Sequence, residues 1–275
     1  MSILGKINHS STKVGIRAVI SGVEKVGKTT MLSSTPKPLL IPLEQGYAGV
    51  SIDKVPMLET FTEVLTLLTE IIDAVQKKNF PYQSLAIDSA TALERLIHTH
   101  VLNMDVSYVK GNQKAVTMDS ALGGYGKAYN TANEQFFTFL QYCDWLAIHG
   151  GINIILSCHV FAAKVVDPTA GEYDTFDILL HSPKNQKTYG KREMLTQWAD
   201  LIGFLHEPIF VSEGKALNKA ISANRGHVIG LSRTPGYVAG NRFGVEGEVS
   251  VPKEDSWNYV AQAIYNSCKL DYYSR

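Results

Sequence analysis

Residues 22–29 read Gly-Val-Glu-Lys-Val-Gly-Lys-Thr, a complete G-x-x-x-x-G-K-[ST] phosphate loop placed directly after the apolar run Val14–Ile20. That order confines the fold more than any other feature of the chain. A buried strand must deliver the backbone into a glycine-rich turn, and the turn must open a helix whose first amides face an anion. Gly22 and Gly27 permit backbone angles and close approaches that a Cβ would forbid. Amides of the turn through Val23, Glu24, Lys25 and Val26 would form an anion-binding concavity. Lys28 would reach the β- and γ-phosphates and the Thr29 hydroxyl would ligate Mg²⁺, with Thr30 beside it at the helix start. The motif implies a bound nucleoside triphosphate, with Mg²⁺ as its expected counterion.

Strand-like and helical segments then alternate along the 275 residues. Strands are expected at Val14–Ser21, Leu39–Leu43, Ser84–Asp88 and Ile152–Cys158. Helices are expected at Lys28–Ser33, Thr60–Lys78, about Ala92–Met104, and Tyr129–His149. The Thr60 helix would turn Val64, Leu67, Leu68, Ile71 and Val75 to one face, and the Tyr129 helix would offer Phe136, Phe137, Leu140 and Leu146 to the core. Asp105–Lys127 reads as a long loop. Buried strands separated by helices imply an α/β fold, a mainly parallel central sheet flanked by helices. Beyond Val160 the pattern changes: Ala163–Tyr189 has no clean helical period. Ala199–Leu205, Ile209–Ser212, Lys215–Ser222 and Val228–Leu231 read as short strands, with Glu213-Gly214 as a hairpin turn, and are expected to extend the sheet antiparallel at its C-terminal edge. No linker splits the chain and no repeat is visible, so residues 1–275 are expected to form one core domain, with 1–12 as an N-terminal extension and 250–275 carrying a C-terminal helix.

Composition excludes several classes. Twenty-six basic residues balance twenty-six acidic ones, so bulk charge would not hold this chain on nucleic acid, although a local basic groove could. Three scattered cysteines make neither a disulfide framework nor a zinc site and suit a reducing, cytoplasmic setting. The N-terminus lacks the apolar core of a signal peptide, and no run approaches a membrane span.

Further candidates lie at strand ends. Leu85-Ala86-Ile87-Asp88-Ser89 is an apolar strand closing on an aspartate that could hold Mg²⁺ opposite Thr29 from a neighbouring strand. Glu44 ends the second strand, expected beside the phosphate-loop strand, where a carboxylate can orient an attacking water; a solvated strand-end glutamate is the alternative, and Glu24 is a rival. His159 ends the fourth strand, where it could touch the γ-phosphate or simply be satisfied by backbone groups.

Phosphate loop, strand-end Glu44, Ala86-Ile87-Asp88-Ser89 and a strand-terminal polar residue resemble, in that order, the RecA-type recombinase cores. More narrowly, Gly124-Tyr125-Gly126-Lys127, His159, Trp198-Ala199-Asp200 and Asn241-Arg242-Phe243-Gly244 look like the phage-encoded, core-only RecA-like ATPases described as single-strand annealing proteins. The resemblance covers about residues 13–250. It implies a RecA-like P-loop fold, Glu44 as the catalytic carboxylate, His159 as the γ-phosphate sensor and Arg242 as a residue reaching a neighbouring subunit's nucleotide. Where RadA-type proteins begin that last stretch with lysine, this chain has Gly240. A surface arginine is the alternative for Arg242.

The resemblance further implies two DNA-binding loops, about Met104–Lys127 and Val160–Lys191, with Lys127, Lys164, Lys184, Lys187, Tyr189, Lys191 and Arg192 as the contacting residues. Phosphate cations beside a stacking tyrosine suit single strands, and a solvated basic loop is the alternative. The partners so implied are single-stranded DNA, further copies of the chain in a ring or filament with ATP at subunit interfaces, and a single-stranded-DNA-binding protein, in the host cytoplasm of a phage. RecA's N-terminal oligomerisation segment and C-terminal domain both look absent. Two other readings remain: a RecA-like regulatory ATPase that acts on a protein and touches no nucleic acid, and a small-molecule kinase, disfavoured by chain order and by the lack of an arginine-rich lid.

Overall fold

The computed structural model describes residues 14–274 apart from 112–115, 169–170, 184–188, 213–218 and 223–225. β1 (Arg17–Ser21) runs into the phosphate loop and α1 (Lys28–Ser33). β2 (Pro38–Pro42), a short β3 (Asp53–Lys54), α2 (Phe61–Gln76), β4 (Ser84–Asp88) and α3 (Ala90–Leu102) follow. α4 (Val106–Val109) and a 3-10 turn at Ala121–Gly123 precede α5 (Lys127–Ile148) and β5 (Asn153–Cys158). β6 (Val160–Asp167), β7 (Gly171–Ile178), α6 (Lys191–Trp198) and β8 (Leu201–His206) come next. β9 (Ile209–Ser212), β10 (Lys219–Ser222), β11 (His227–Gly230), β12 (Gly240–Asn241), β13 (Glu248–Val251) and α7 (Ser256–Cys268) complete the chain.

The main sheet has the order β13-β11-β8-β1-β5-β4-β2-β3, with β12 also on β8. From β3 to β8 every pairing is parallel, and β11, β12 and β13 add antiparallel pairings at the C-terminal edge. The α/β class and its antiparallel edge are those read from the sequence. Two details differ. β8 lies parallel to β1, because α6 crosses over before it, and β9 and β10 pair only with each other among the described residues. The expected turn at Glu213-Gly214 lies outside the described residues.

The strands are apolar without alternation because both faces of the sheet are covered. Val19, Ile41, Leu85, Ile87, Ile154 and Leu156 face a core shared with α2, α3 and α5. Ala18, Ile20, Leu40, Ala86 and Ile155 face the core under α1 and α7, around the fully buried Trp257. α2 begins with a capping box, Thr60 Oγ1 accepting from the Glu63 amide at 3.2 Å while the Glu63 carboxylate accepts from the Thr60 amide at 2.9 Å. On α5, Phe136, Leu140, Cys143 and Ala147 are buried at helical spacing. Phe137, expected in the core, is 54% exposed, since one residue further turns it about 100° round the helix.

The β6–β7 hairpin and α6 were not legible. Burial alternates along both arms of the hairpin, but most inward positions are only half-buried and not all are apolar, so hydropathy marks them weakly. α6 falls on the run read as a basic loop, and Glu193 caps it by accepting from the Gly190 amide at 2.9 Å. Among the described residues no helix is long and apolar enough to cross a membrane.

Candidate functional site

Gly22 and Gly27 shape the phosphate loop for different reasons. A Cβ on Gly22 would stand 2.5 Å from the carbonyl oxygen of Leu205 on β8, so only glycine lets the two strands close up. Gly27 has φ 96°, the left-handed region, immediately before α1. Val26 is buried against the core, whereas Val23, Glu24 and Lys25 are exposed and Thr29 and Thr30 half-buried. Lys28 is 7% exposed, and its Nζ donates to the carbonyls of Gly22 at 2.9 Å and Val23 at 2.8 Å. Burial lowers its pKa, opposed by the charge of Asp88.

Asp88 ends β4 and lies against the loop. Its Oδ2 accepts from Thr29 Oγ1 at 2.7 Å, and its Oδ1 accepts from the Ser157 hydroxyl on β5. The peptide joining it to Ser89 is cis. The sequence reading set both carboxylate strands beside the phosphate-loop strand, and the sheet corrects this. β5 separates β4 from β1, and both β5 and β4 separate β2 from it. Thr29 meets Asp88 because α1 crosses over the end of β5, not because their strands pair.

Glu44 follows β2 and points back across the strand ends. Its Oε1 is 2.9 Å from His159 Nε2, and its Oε2 accepts from Arg95 of α3 at 2.9 Å. Burial pushes this carboxyl up, but the hydrogen bonds from His159 and Ser89 and the charges of His159 and Arg95 outweigh it and hold the pKa to about 2. His159, just beyond β5, donates its amide to Thr91 Oγ1 at 3.2 Å, and its buried Nδ1 has no partner among the described residues. Glu24, Lys28, Glu44, Val50, Asp88 and His159 are among the residues around a cleft of about 400 Å³. The sequence reading missed Arg95, Ser157 and Thr91. Arg95 and Thr91 lie on the helix that Asp88 leads into, and Ser157 is the one hydroxyl within an apolar strand.

No group of three or more His, Cys, Asp or Glu side chains among the described residues could hold a metal ion unaided. A hydroxyl and a carboxylate in mutual contact, Thr29 and Asp88, suit instead a cation that completes its shell with phosphate oxygens and water, as Mg²⁺ does.

Arg242 lies at the other end of the sheet. Its guanidinium donates to Asp200 Oδ1 at 2.8 Å and to the Gln197 carbonyl. Asp200 also pairs with Arg17, at the start of β1, at 2.7 Å. β1 must run its whole length from there to reach the phosphate loop.

The expected DNA contacts divide. Lys127, Lys164 and Tyr189 are exposed. Lys184 and Lys187 lie outside the described residues. Lys191 is a correction: it is fully buried, with its Nζ 3.2 Å from Glu94 and 3.4 Å from Asn133. Arg192 is another, since it pairs with Asp177 at 2.5 Å and Glu193 at 2.7 Å. Both cations are engaged by carboxylates brought up by α3, β7 and α6, Lys191 buried and Arg192 half-buried. The β6–β7 hairpin, expected to begin a basic loop, carries Lys164 against Asp167, Glu172, Asp174 and Asp177.

A family model described as an AAA domain matches residues 14–243. Among solved structures the chain is similar to the RadB recombinase at 14% identity, with 88% of this chain and 89% of that one covered and a TM-score of 0.44, a likeness that says nothing of what this chain binds. No curated protein is matched.

Proposed function

The chain belongs to this AAA-domain family, and on that premise we propose that it is a RecA-like ATPase whose nucleotide state controls its grip on single-stranded DNA, as in phage-type annealing or strand pairing. The observation that carries the reading is the Glu44–His159 hydrogen bond beside Lys28 and Asp88. It sets a carboxylate held ionised next to a side chain whose backbone continues into the segment leading to Tyr189.

Lys28 and the loop amides would hold the triphosphate, trading the carbonyls of Gly22 and Val23 for phosphate oxygens. Thr29 and Asp88 would hold Mg²⁺, which when bound neutralises charge on the transferring phosphoryl group. Glu44 would orient the attacking water, and a γ-phosphate competing for His159 Nε2 would loosen its bond to Glu44. His159 is tied through Thr91 Oγ1 to the Leu179 carbonyl, and Leu179 donates its amide to the His159 carbonyl at 2.8 Å, so a shift at His159 has a short mechanical path to residues 179–183. Arg242 stands at the far end of the sheet from its own loop, so its route to a nucleotide is that of another copy. That favours a ring or filament with ATP between subunits.

Fluorescence anisotropy of a labelled single-stranded oligonucleotide, with ADP, a non-hydrolysable ATP analogue or neither, tests the reading over a salt series. Salt-sensitive binding restricted to the analogue supports it. The acidic β6–β7 hairpin favours one competing reading, a regulatory ATPase acting on a basic protein partner. Absence of oligonucleotide binding in every nucleotide state would leave that one standing.

A further inference from the structure

Among the described residues His159, Ser89 and Arg95 donate to the carboxylate of Glu44, and they are not equivalent. β2 is fastened at its end, where the Leu43 amide donates to the Asp88 carbonyl at 2.7 Å. Glu44 is one residue beyond that tie, in a bend that runs on to Gly46. Its direction is therefore set by what its carboxylate meets rather than by a strand, and a glutamate side chain is rich in rotamers. Oε1 meets His159 Nε2 and Oε2 meets Arg95 Nη2, each at 2.9 Å. Glu44 and His159 line the phosphate-loop cleft, and Arg95 is not among its lining residues. His159 thus stands where a γ-phosphate would arrive, and Arg95 stands outside.

Arg95 is itself well anchored through its helix. Ser89 caps α3, its Oγ accepting from the Ala92 amide at 3.1 Å, and it follows Asp88 directly, so the helix starts from the end of β4. Leu93 and Ile97 turn into the core from α3, while the Arg95 side chain is 63% exposed. Helical side chains lean toward the N-terminus of their helix, which carries the guanidinium back toward the strand ends. An ion pair this exposed contributes little to stability. What it does supply is direction, since it holds one oxygen of a carboxylate whose backbone does not.

We propose that Arg95 is a positioning residue for ATP hydrolysis: by keeping Oε2 of Glu44 it leaves the carboxylate aimed into the cleft when a γ-phosphate draws His159 from Oε1. The inference rests on the ATPase reading above and adds to it a residue that touches neither nucleotide nor attacking water. Without Arg95, the departure of His159 leaves the carboxylate to the Ser89 hydroxyl alone. A misplacement of about 1 Å at a reacting group can lower a rate by about 10²-fold. Nucleotide affinity, which Lys28 and the loop amides would supply, is untouched by that rotation. One N–H of the guanidinium makes the contact, so a lysine at this position can supply part of it.

Steady-state hydrolysis of ATP with Mg²⁺, with kcat and KM resolved separately, tests it. Arg95→Leu, its fold checked by urea denaturation, should lower kcat roughly 10–100-fold and leave KM within about twofold. Arg95→Lys should recover part of the loss, which a role in folding alone would not predict. In a Glu44→Gln background, Arg95→Leu should slow hydrolysis no further, because a residue that acts through the carboxylate has nothing left to hold. An unchanged kcat in Arg95→Leu, a rise in KM without a fall in kcat, or losses that multiply in the double variant would overturn the inference and leave the ATPase reading intact. No hydrolysis by the unaltered protein would overturn both.

Discussion

Glu44 and His159 lie 115 positions apart and share a 2.9 Å hydrogen bond at the mouth of the phosphate-loop cleft. With Glu44 ionised, His159 Nε2 is the donor, and Arg95 holds the second carboxylate oxygen. Neither the carboxylate nor the imidazole is therefore free to rotate independently. Whatever draws His159 away frees one oxygen of Glu44 to accept from something else, which is the behaviour wanted of a group that should meet water only when a γ-phosphate is present.

Replacing that carboxylate by an amide separates binding from turnover. Glu44→Gln should retain nucleotide binding, measured with a fluorescent ATP analogue, while steady-state hydrolysis falls by roughly 10²–10⁴. Unchanged hydrolysis would remove Glu44 from the mechanism.

The same residue has an acid signature. Its pKa is depressed from the usual 4.5 to about 2 in the folded chain, so its stabilising contribution is complete above about pH 4.5 and is lost as pH falls through about 2. Urea midpoints of the unaltered protein and Glu44→Gln, measured from pH 6 downward, should converge in that window. A constant gap down to pH 2 would contradict the assigned hydrogen bonds.

Lys28→Ala removes the one buried cation of the phosphate loop. A hydrogen bond to a charged group contributes about 1.5–3 kcal/mol, so affinity for ATP should fall by at least about tenfold by calorimetry. Nucleotide-dependent oligonucleotide binding should vanish with it.

Gly22→Ala should fail for a steric reason. The added methyl meets the Leu205 carbonyl at 2.5 Å, a backbone atom that cannot swing aside, and overpacking of this kind costs about 1–3 kcal/mol. Gly240→Ala is the control, since nothing stands within 4 Å of its Cβ position. Chemical denaturation should separate the two, and equal midpoints would be inconsistent with this packing.

Lys191→Met asks whether that lysine serves the fold or the ligand. Removing it strands Glu94 in a buried site, at a cost of about 3 kcal/mol in denaturation midpoint analysis. The salt slope of oligonucleotide binding should stay put. Lys127→Ala should do the reverse, lowering the slope by about one with little change in stability.

Much of the fold was legible because its signals are local. The sequence places β4 and α1 to the residue and α2 within two at either end, since apolar runs and helical spacing are written within the elements themselves. The β6–β7 hairpin left a fainter trace, because its inward positions mix Ala163, Val165, Tyr173 and Thr175 and only Thr175 and Ile178 are buried, so the alternation of burial is not written as one of hydropathy. β8 was recognised as a strand but given the wrong direction. Direction depends on α6, and α6 was hidden by basic residues that look like a loop until Glu94, Asp177 and Glu193 are placed beside them.

The phosphate loop needed nothing from the rest of the molecule to be recognised. Gly22, Gly27, Lys28 and Thr29 act through backbone angles and side-chain reach within eight residues, and steric rules at that range are set by sequence alone. Which charges remain available was decided only by the tertiary structure. Lys191 and Arg192 are cations in the sequence and ion-pair partners in the fold, and Glu44 is a strand-end carboxylate until His159 and Arg95 converge on it. The energy of a charge depends on its partners and its exposure, and apart from Glu193, the neighbour of Arg192, folding brought those partners together from 15 to 115 positions away.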